Sequence, residues 1–145
     1  MKNFKTLTFT LVLYLICAVN CYSQTQTSPE PEKYILENDA DVAKAEPGTH
    51  KGGGNTIGYS FFEGAKDYNT AFRKRTLKAG SAIGYHLQKH DEIYYVLSGN
   101  GVMQMNGKTF PVKPGDAILT RPGSSHGIAP NKDNDLTIII VYQKK

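Results

Sequence analysis

The stretch GSAIGYHLQKHDEIYYVLSGNG, residues 80–101, says the most about the fold of this 145-residue chain. Groups that can bind a metal or move a proton stand at every second position in it: His86, Gln88, His90, Glu92 and Tyr94. Alternate residues of a β-strand project from the same face of a sheet. The spacing therefore predicts that several of these side chains converge, unless they are simply polar residues on a solvated strand.

Residues 89–91 predict a turn between two strands, AIGYHLQ and EIYYVLS. If these strands pair through a three-residue loop, residue 88 lies opposite 92 and residue 86 lies opposite 94. Directly opposed residues share a face, with Cβ atoms about 5 Å apart. The side chains at all four of these positions would then meet on one side of the hairpin, and His90 would occupy its tip.

From Thr56 onward, short segments rich in β-branched and aromatic residues alternate with turn signals. The segments are TIGYSFF, AFRKRTL, AIGYHL, EIYYVL, VMQM, TFPV, AILT and LTIIIVY. Asn106 and Gly107 both tolerate positive φ and predict a type I′ hairpin turn. No segment here shows the sustained 3.6-residue apolar period of a helix. We therefore predict an all-β domain of about eight strands, a small sandwich or barrel.

The amino terminus has the layout of a secretory signal peptide. Lys2 and Lys5 precede the apolar run LTFTLVLYLICAV, and a polar segment follows. The run is shorter than the about 20 apolar residues that span a bilayer. We predict a signal peptide over residues 1–23, cleavage after Ser23 and export to the periplasm or medium. A lipoprotein anchored at Cys21 is the less favoured alternative.

The predicted mature chain contains no cysteine, because Cys17 and Cys21 precede the cleavage point. It therefore has no disulfide and no thiolate metal site. Residues 24–50 are polar and contain prolines, which predicts a linker or an arm packed on the domain. Residues 51–145 are predicted to form one barrel domain, since about 120 residues suffice for a single core.

The charge does not indicate a nucleic-acid partner. The formal charge of +4 includes Lys2 and Lys5, which leaves +2 after cleavage. The densest basic run, FRKRTLK at residues 72–78, has no interleaved stacking aromatics and no nucleic-acid module. We expect a solvated outer strand there. The alternative is that Arg73 or Arg75 points towards an anionic small molecule.

Two motifs resemble those of the cupin superfamily. Residues 80–99 follow the spacing Gly-x5-His-x-Gln-x3-Glu-x6-Gly, which is similar to the first cupin motif with Gln88 in place of its second histidine. The segment GDAILTRPGSSH, residues 115–126, resembles the second motif, from a glycine through a Pro/Gly turn to a histidine. The resemblance implies a cupin-type double-stranded β-helix, or jelly-roll barrel. It also implies that barrels pair into a homodimer.

The resemblance further implies one divalent metal ion bound by His86, Glu92 and His126. Gln88 would contribute an amide, a weaker donor than imidazole. Two histidines and a carboxylate suit Fe(II), with Mn(II) and Zn(II) close behind and Ni(II) or Co(II) compatible. His90 is either solvated, a proton carrier at the pocket mouth or a replacement for Gln88. The alternative is a cupin that has lost its metal and keeps a polar pocket.

Three functional classes remain open from the sequence. The first is a metal-dependent isomerase, epimerase or lyase acting on a sugar or sugar acid, with Tyr94 as acid or base and His90 as second candidate. The second is an Fe(II)-dependent dioxygenase, and the third is a non-catalytic binding protein for a small molecule. Arg121 is a candidate carboxylate anchor or an exposed turn residue. His50 is expected at the surface, unless the amino-terminal arm closes the site.

Overall fold

The computed structural model describes residues 33–144, so the predicted signal peptide and Cys21 lie outside the described residues. The elements are α1 (Asp39–Val42), β1 (Ala43–Gly48), β2 (Gly53–Phe61), β3 (Thr70–Leu77), β4 (Ile83–Leu87), β5 (Glu92–Ser98), β6 (Gly101–Met105), β7 (Lys108–Val112), β8 (Ala117–Thr120), β9 (Ser125–Pro130) and β10 (Leu136–Gln143). Within this part of the chain no helix is long and apolar enough to cross a membrane.

The strands form two antiparallel sheets. The larger sheet has the order β1-β2-β3-β10-β5-β8 and the smaller has the order β4-β9-β6-β7. Both sheets contribute to one buried apolar cluster: Leu77, Ile83, Tyr94, Val96, Met103, Val112, Leu136, Ile128, Ile138 and Ile140. The prediction of an all-β barrel is confirmed.

The inner strands of the larger sheet follow from their sequence pattern. In β10, Leu136, Ile138 and Ile140 are buried, while the residues between them are half-buried. A strand that is apolar on both faces suits the centre of a sheet, and β10 lies between β3 and β5. The EIYYVLS segment likewise forms β5, between β10 and β8.

The predicted hairpin at Asn106 and Gly107 is confirmed. These residues have φ angles of 48° and 79°. Both values lie in the left-handed region that a type I′ turn requires, which asparagine and glycine tolerate best. Met105 pairs with Lys108 across the turn, so the hairpin sets the register of β6 and β7.

The chain has more strands than the pattern predicted. β1 lies within residues 24–50, the predicted linker or arm, and pairs along its length with β2. The barrel therefore begins before residue 51. β9 was also missed, because its sequence SHGIAP contains a glycine and a proline and lacks apolar alternation. Tertiary pairing overrides the weak strand propensity of both segments.

Candidate metal centre

Two histidines and a carboxylate meet between the two sheets. His86 on β4 is paired directly with His126 on β9, and their ring centroids are 4.4 Å apart. Glu92 begins β5 in the opposite sheet, and its Oε2 lies 3.4 Å from Nε2 of His126. One potential ligand atom from each of the three residues lies within 4.8 Å of the others. The structure thus brings together the three residues that the motifs indicated, in an arrangement that could hold a metal.

The route by which they meet differs from the prediction. β4 pairs with β9, whereas β5 pairs with β10 and β8. The expected hairpin of residues 86–94 is therefore wrong, because residues 88–91 carry the chain from one sheet to the other. Convergence arises from two inward faces that oppose each other across the barrel, rather than from neighbours on one face.

The donor atoms have the chemistry that a cation requires. Nδ1 of His86 is 2.8 Å from the carbonyl oxygen of Gly84 and must donate to it, which leaves Nε2 unprotonated as a ligand in the neutral ring. Oε2 of Glu92 and Nδ1 of His126 are buried without a hydrogen-bond partner within residues 33–144. Burying a carboxylate oxygen without a partner is costly. A bound cation would remove that cost, so these residues fit a metal ion.

Tyr94 lies against His126. Its side chain is buried, and its hydroxyl is 3.0 Å from Nε2 of His126. Burial, reinforced by the negative charge of Glu92, raises the pKa of Tyr94 well above its ordinary value of 10.0. The phenol therefore keeps its proton at neutral pH. It can act as a hydrogen-bond donor or acid rather than as a base.

A cavity of about 490 Å³ opens beside these residues. Gln88 and His90, both predicted for the site, line it. Gln88 is mostly buried, and its main chain bonds to Ser124 and Gly123. His90 is exposed, as expected for the loop between β4 and β5. The cavity is lined by Thr49, His50, Arg73, Arg75, Ile83, His86, Leu87, Gln88, Lys89, His90, Glu92, Tyr94, Ile140 and Tyr142.

Two arginines line this cavity, but Arg121 does not. Arg121 is exposed, and its Nε donates to Asp91 at 2.7 Å. Arg73 and Arg75 come instead from β3, the basic run that we expected to be a solvated outer strand. That expectation is wrong, because β3 lies between β2 and β10 and Arg75 is only 5% exposed. The alternative, in which these arginines face a small anion, agrees with their positions.

Partners in the protein hold both arginines in place. Arg75 forms an ion pair with Glu46 and donates from Nη1 to Oγ1 of Thr56 at 2.8 Å. Arg73 lies 3.3 Å from Glu63. A guanidinium has five N–H donors. The two hydrogen bonds of Arg75 therefore leave donors available for a ligand.

His50 also lines the cavity, while its side chain stays exposed, as predicted. Its ring lies parallel to that of His86, with centroids 3.5 Å apart and an interplanar angle of 1°. Desolvation and the nearby His86 lower the pKa of His50 below 6.5. Sequence pattern gave no direct signal for this contact. The turn at residues 49–52 thus places one ring of the amino-terminal segment against a candidate metal ligand.

Comparison with known proteins supports a cupin domain. Residues 74–142 match the family model for the cupin domain. The chain is 42% identical over 73 residues to the oxalate-binding protein of Thermotoga maritima, a match that covers 48% of this chain and 59% of the relative. It is 26% identical over 73 residues to L-ectoine synthase of Vibrio campbellii, covering 50% of this chain and 57% of the relative. The matches thus cover less than two thirds of these relatives' own length.

Solved structures extend the likeness to 77% of the chain. The crystal structure of a predicted oxalate decarboxylase from Thermotoga maritima superposes with a TM-score of 0.68 at 28% identity, covering 77% of this chain and 100% of that one. A polyketide cyclase from Streptomyces resistomycificus gives a TM-score of 0.65 at 20% identity, covering 77% of this chain and 80% of that one, and shares the fold alone. With the family match and both motifs in place, the chain belongs to the cupin superfamily.

Proposed function

We propose that the protein binds a small carboxylic acid in the barrel cavity, beside a divalent metal ion held by His86, Glu92 and His126. The observation that carries this proposal is that Arg73 and Arg75 line the same cavity as His86 and Glu92. A guanidinium recognises a carboxylate through paired, charge-assisted hydrogen bonds. Two arginines and a cation in one cavity favour an anion over a neutral sugar.

The relatives support an acid of this kind. One has the name oxalate-binding protein, and the structure that superposes over its whole length is described as a predicted oxalate decarboxylase. A volume of about 490 Å³ leaves room for acids larger than oxalate, including a sugar acid. The proposed ligand class is therefore small carboxylates, with oxalate and sugar acids as its first members to test.

The chain's own residues suit proton transfer as well as binding. When bound, a metal such as Fe(II), Mn(II) or Zn(II) would supply a Lewis acid that polarises an oxygen of the ligand. Arg73 and Arg75 would orient the carboxylate. Tyr94 keeps its phenolic proton beside His126, and His90 lies at the cavity wall. We therefore propose a lyase or isomerase of small carboxylic acids, with Tyr94 as proton donor, as the catalytic form of this function.

A titration of metal-loaded protein tests the binding proposal. We expect oxalate and gluconate to bind measurably by calorimetry, and neutral glucose to bind much more weakly. Arg73→Gln and Arg75→Gln should each weaken carboxylate binding by about tenfold, the loss of one charge-assisted interaction of roughly 1.4 kcal/mol. The matched control is Arg121→Gln, an exposed arginine that does not line the cavity. Equal binding of gluconate and glucose would refute the proposal.

A second assay separates catalysis from binding alone. The loaded protein is incubated with each bound acid, and products are followed by NMR. Conversion that Tyr94→Phe slows, with ligand affinity retained, would support the lyase or isomerase class. Binding without conversion, after metal is restored, would support the non-catalytic class, which the name of the oxalate-binding relative also favours. Oxygen uptake with Fe(II) would instead indicate a dioxygenase.

Export is a separate proposal, based on the signal-peptide layout of residues 1–23. We expect the protein purified from its native host to begin at Gln24. Amino-terminal sequencing measures this directly. A lipid-modified Cys21 at the start of the chain would instead support the lipoprotein alternative.

A further inference from the structure

The turn between β1 and β2 contacts a strand of the other sheet. Residues 49–52 belong to a connection within the larger sheet, yet they lie against β4, the edge strand of the smaller sheet. The main-chain amide of Gly84 on β4 donates to the carbonyl of Thr49 at 2.9 Å. The turn therefore supplies β4 with a hydrogen bond on the edge that no strand of its own sheet occupies.

The contact between the turn and β4 is as close as two backbones allow. A Cβ added to Gly84 would lie 2.1 Å from the carbonyl oxygen of His50, and one added to Gly52 would lie 1.9 Å from that of Ala82. Neither position can accept a side chain unless the backbones separate. Glycine at both positions is therefore a condition for seating the turn on β4.

The turn also holds its histidine in an uncommon conformation. His50 and Lys51 have φ angles of 52° and 64°, in the left-handed region that residues with a Cβ seldom adopt. Gly52 donates to the carbonyl of Thr49 at 2.9 Å and closes the turn. Such backbone conformations persist where surrounding structure enforces them, and they concentrate at functional sites.

The consequence is a fixed position for the ring of His86. One of its edges is held because Nδ1 donates to the carbonyl of Gly84, and one of its faces is covered by the parallel ring of His50. Gly84 thus anchors both the ligand side chain and the turn that covers it. A metal-binding histidine depends on such outer contacts for its orientation.

We infer that His50 is a positioning residue of the metal centre: stacked on His86 by the β1–β2 turn, it fixes the plane of that ligand. This inference rests on the proposed metal site. His50 does not belong to the group of residues whose ligand atoms lie within 4.8 Å of one another, so its role is to orient rather than to coordinate. The flat face of the ring, and not its nitrogen atoms, performs that role.

The test uses the full mature chain, with Co(II) as the probe metal and its visible absorption spectrum as the readout. His50→Ala removes the ring while keeping a Cβ at the left-handed position, and should weaken Co(II) affinity by about tenfold or more and alter the spectrum. His50→Phe restores a flat ring without a donor atom, and should return both affinity and spectrum towards wild type. Lys51→Ala, in the same turn, is the matched control.

A second variant moves the turn without changing its histidine. Gly84→Ala should force the turn away from β4 and lower Co(II) affinity as His50→Ala does. Thermal unfolding shows whether Gly84→Ala folds. If it does not fold, the comparison of His50→Ala with His50→Phe tests the inference without it. The inference is overturned if His50→Ala binds like wild type, or if His50→Phe is as weak as His50→Ala, because His50 would then act through its nitrogen. A wild type that binds no Co(II) would instead refute the metal site itself.

Discussion

The two ends of the barrel differ in the side chains that β5 and β10 place between the sheets. Along the inward face of β5, Glu92 and Tyr94 line the cavity while Val96 is buried in the apolar core. Along β10, Ile140 borders both the core and the cavity, while Leu136 lies fully buried in the core and does not line the cavity. Alternation decides which residues face inward at both ends. The kind of residue at each inward position decides whether that end is dry core or binding site.

The difference also separates stability from function. The core end is apolar and needs no partner beyond its own packing. The cavity end holds two buried polar atoms without hydrogen-bond partners among residues 33–144, on Glu92 and His126. Buried polar groups of this kind are costly, and they are found where a ligand completes them. Substitutions at the core end should therefore lower stability and leave metal content unchanged, whereas loss of a ligand at the cavity end should lower metal content.

Removing a metal ligand at the cavity end should have the strongest effect. His126→Ala removes a fully buried donor from the group of three, so the purified protein should lose its bound metal. Elemental analysis of wild type and variant measures this. His90→Ala is the control, since His90 is exposed and outside the group, and it should keep its metal. Equal metal content in wild type and His126→Ala would remove the site as described.

The next effect belongs to the core end. Leu136→Ala should lower the free energy of unfolding by about 2 to 5 kcal/mol, through lost burial and the cavity left behind. Metal content should stay at the wild-type level. Leu119→Ala, at a side chain that is 53% exposed, should change stability by less than about 0.5 kcal/mol. Chemical denaturation measures both, and metal loss in Leu136→Ala would contradict the separation of the two ends.

One substitution at the cavity end should strengthen metal binding. Gln88→His places an imidazole where this chain has an amide, and imidazole is the better donor for Zn(II) and Ni(II). We expect higher affinity for both ions in competition with a chelator. Unchanged affinity would mean that the side chain at position 88 points away from the metal.

A surface ion pair should make a small, pH-dependent contribution to stability. Hydrogen bonding from Lys78 lowers the pKa of Asp135 below 3.8, and the same contact raises the pKa of Lys78 above 10.5. The carboxylate contribution to stability is present above pH 3.8 and is lost as pH falls through the lower folded pKa. Asp135→Asn should therefore melt slightly below wild type at pH 6, with the difference shrinking at pH 3. A constant difference in melting temperature would contradict this.

Much of the fold followed from local pattern. The segments of β5, β10 and the β6–β7 hairpin were predicted because apolar residues and turn residues there agree with the structure adopted. β1 and β9 were not, because AKAEPG and SHGIAP have weak strand propensity and gain their hydrogen bonds from neighbouring strands. The group of residues that could hold a metal was predicted by motif resemblance, although the hairpin expected to bring them together was wrong.

The contacts that escaped prediction cross between distant segments. His50 stacks on His86 because the β1–β2 turn lies on β4, a meeting of backbones that leaves no periodic trace in the sequence. Arg73 and Arg75 were expected in solvent, because a basic run is more often a solvated face than a cavity wall. The ion pair between Arg75 and Glu46 joins residues 29 positions apart, so no local rule could have anticipated it.

Local pattern and motif spacing are enough to establish that this chain forms a small all-β barrel with two histidines and a glutamate in its motifs. Strand alternation and turn chemistry act over a few residues and can be read in order. Tertiary structure alone decided which strands pair, which arginines reach the cavity and which histidine covers His86. Those contacts depend on the closure of two sheets around one core, where burial free energy is shared among residues that the sequence holds far apart.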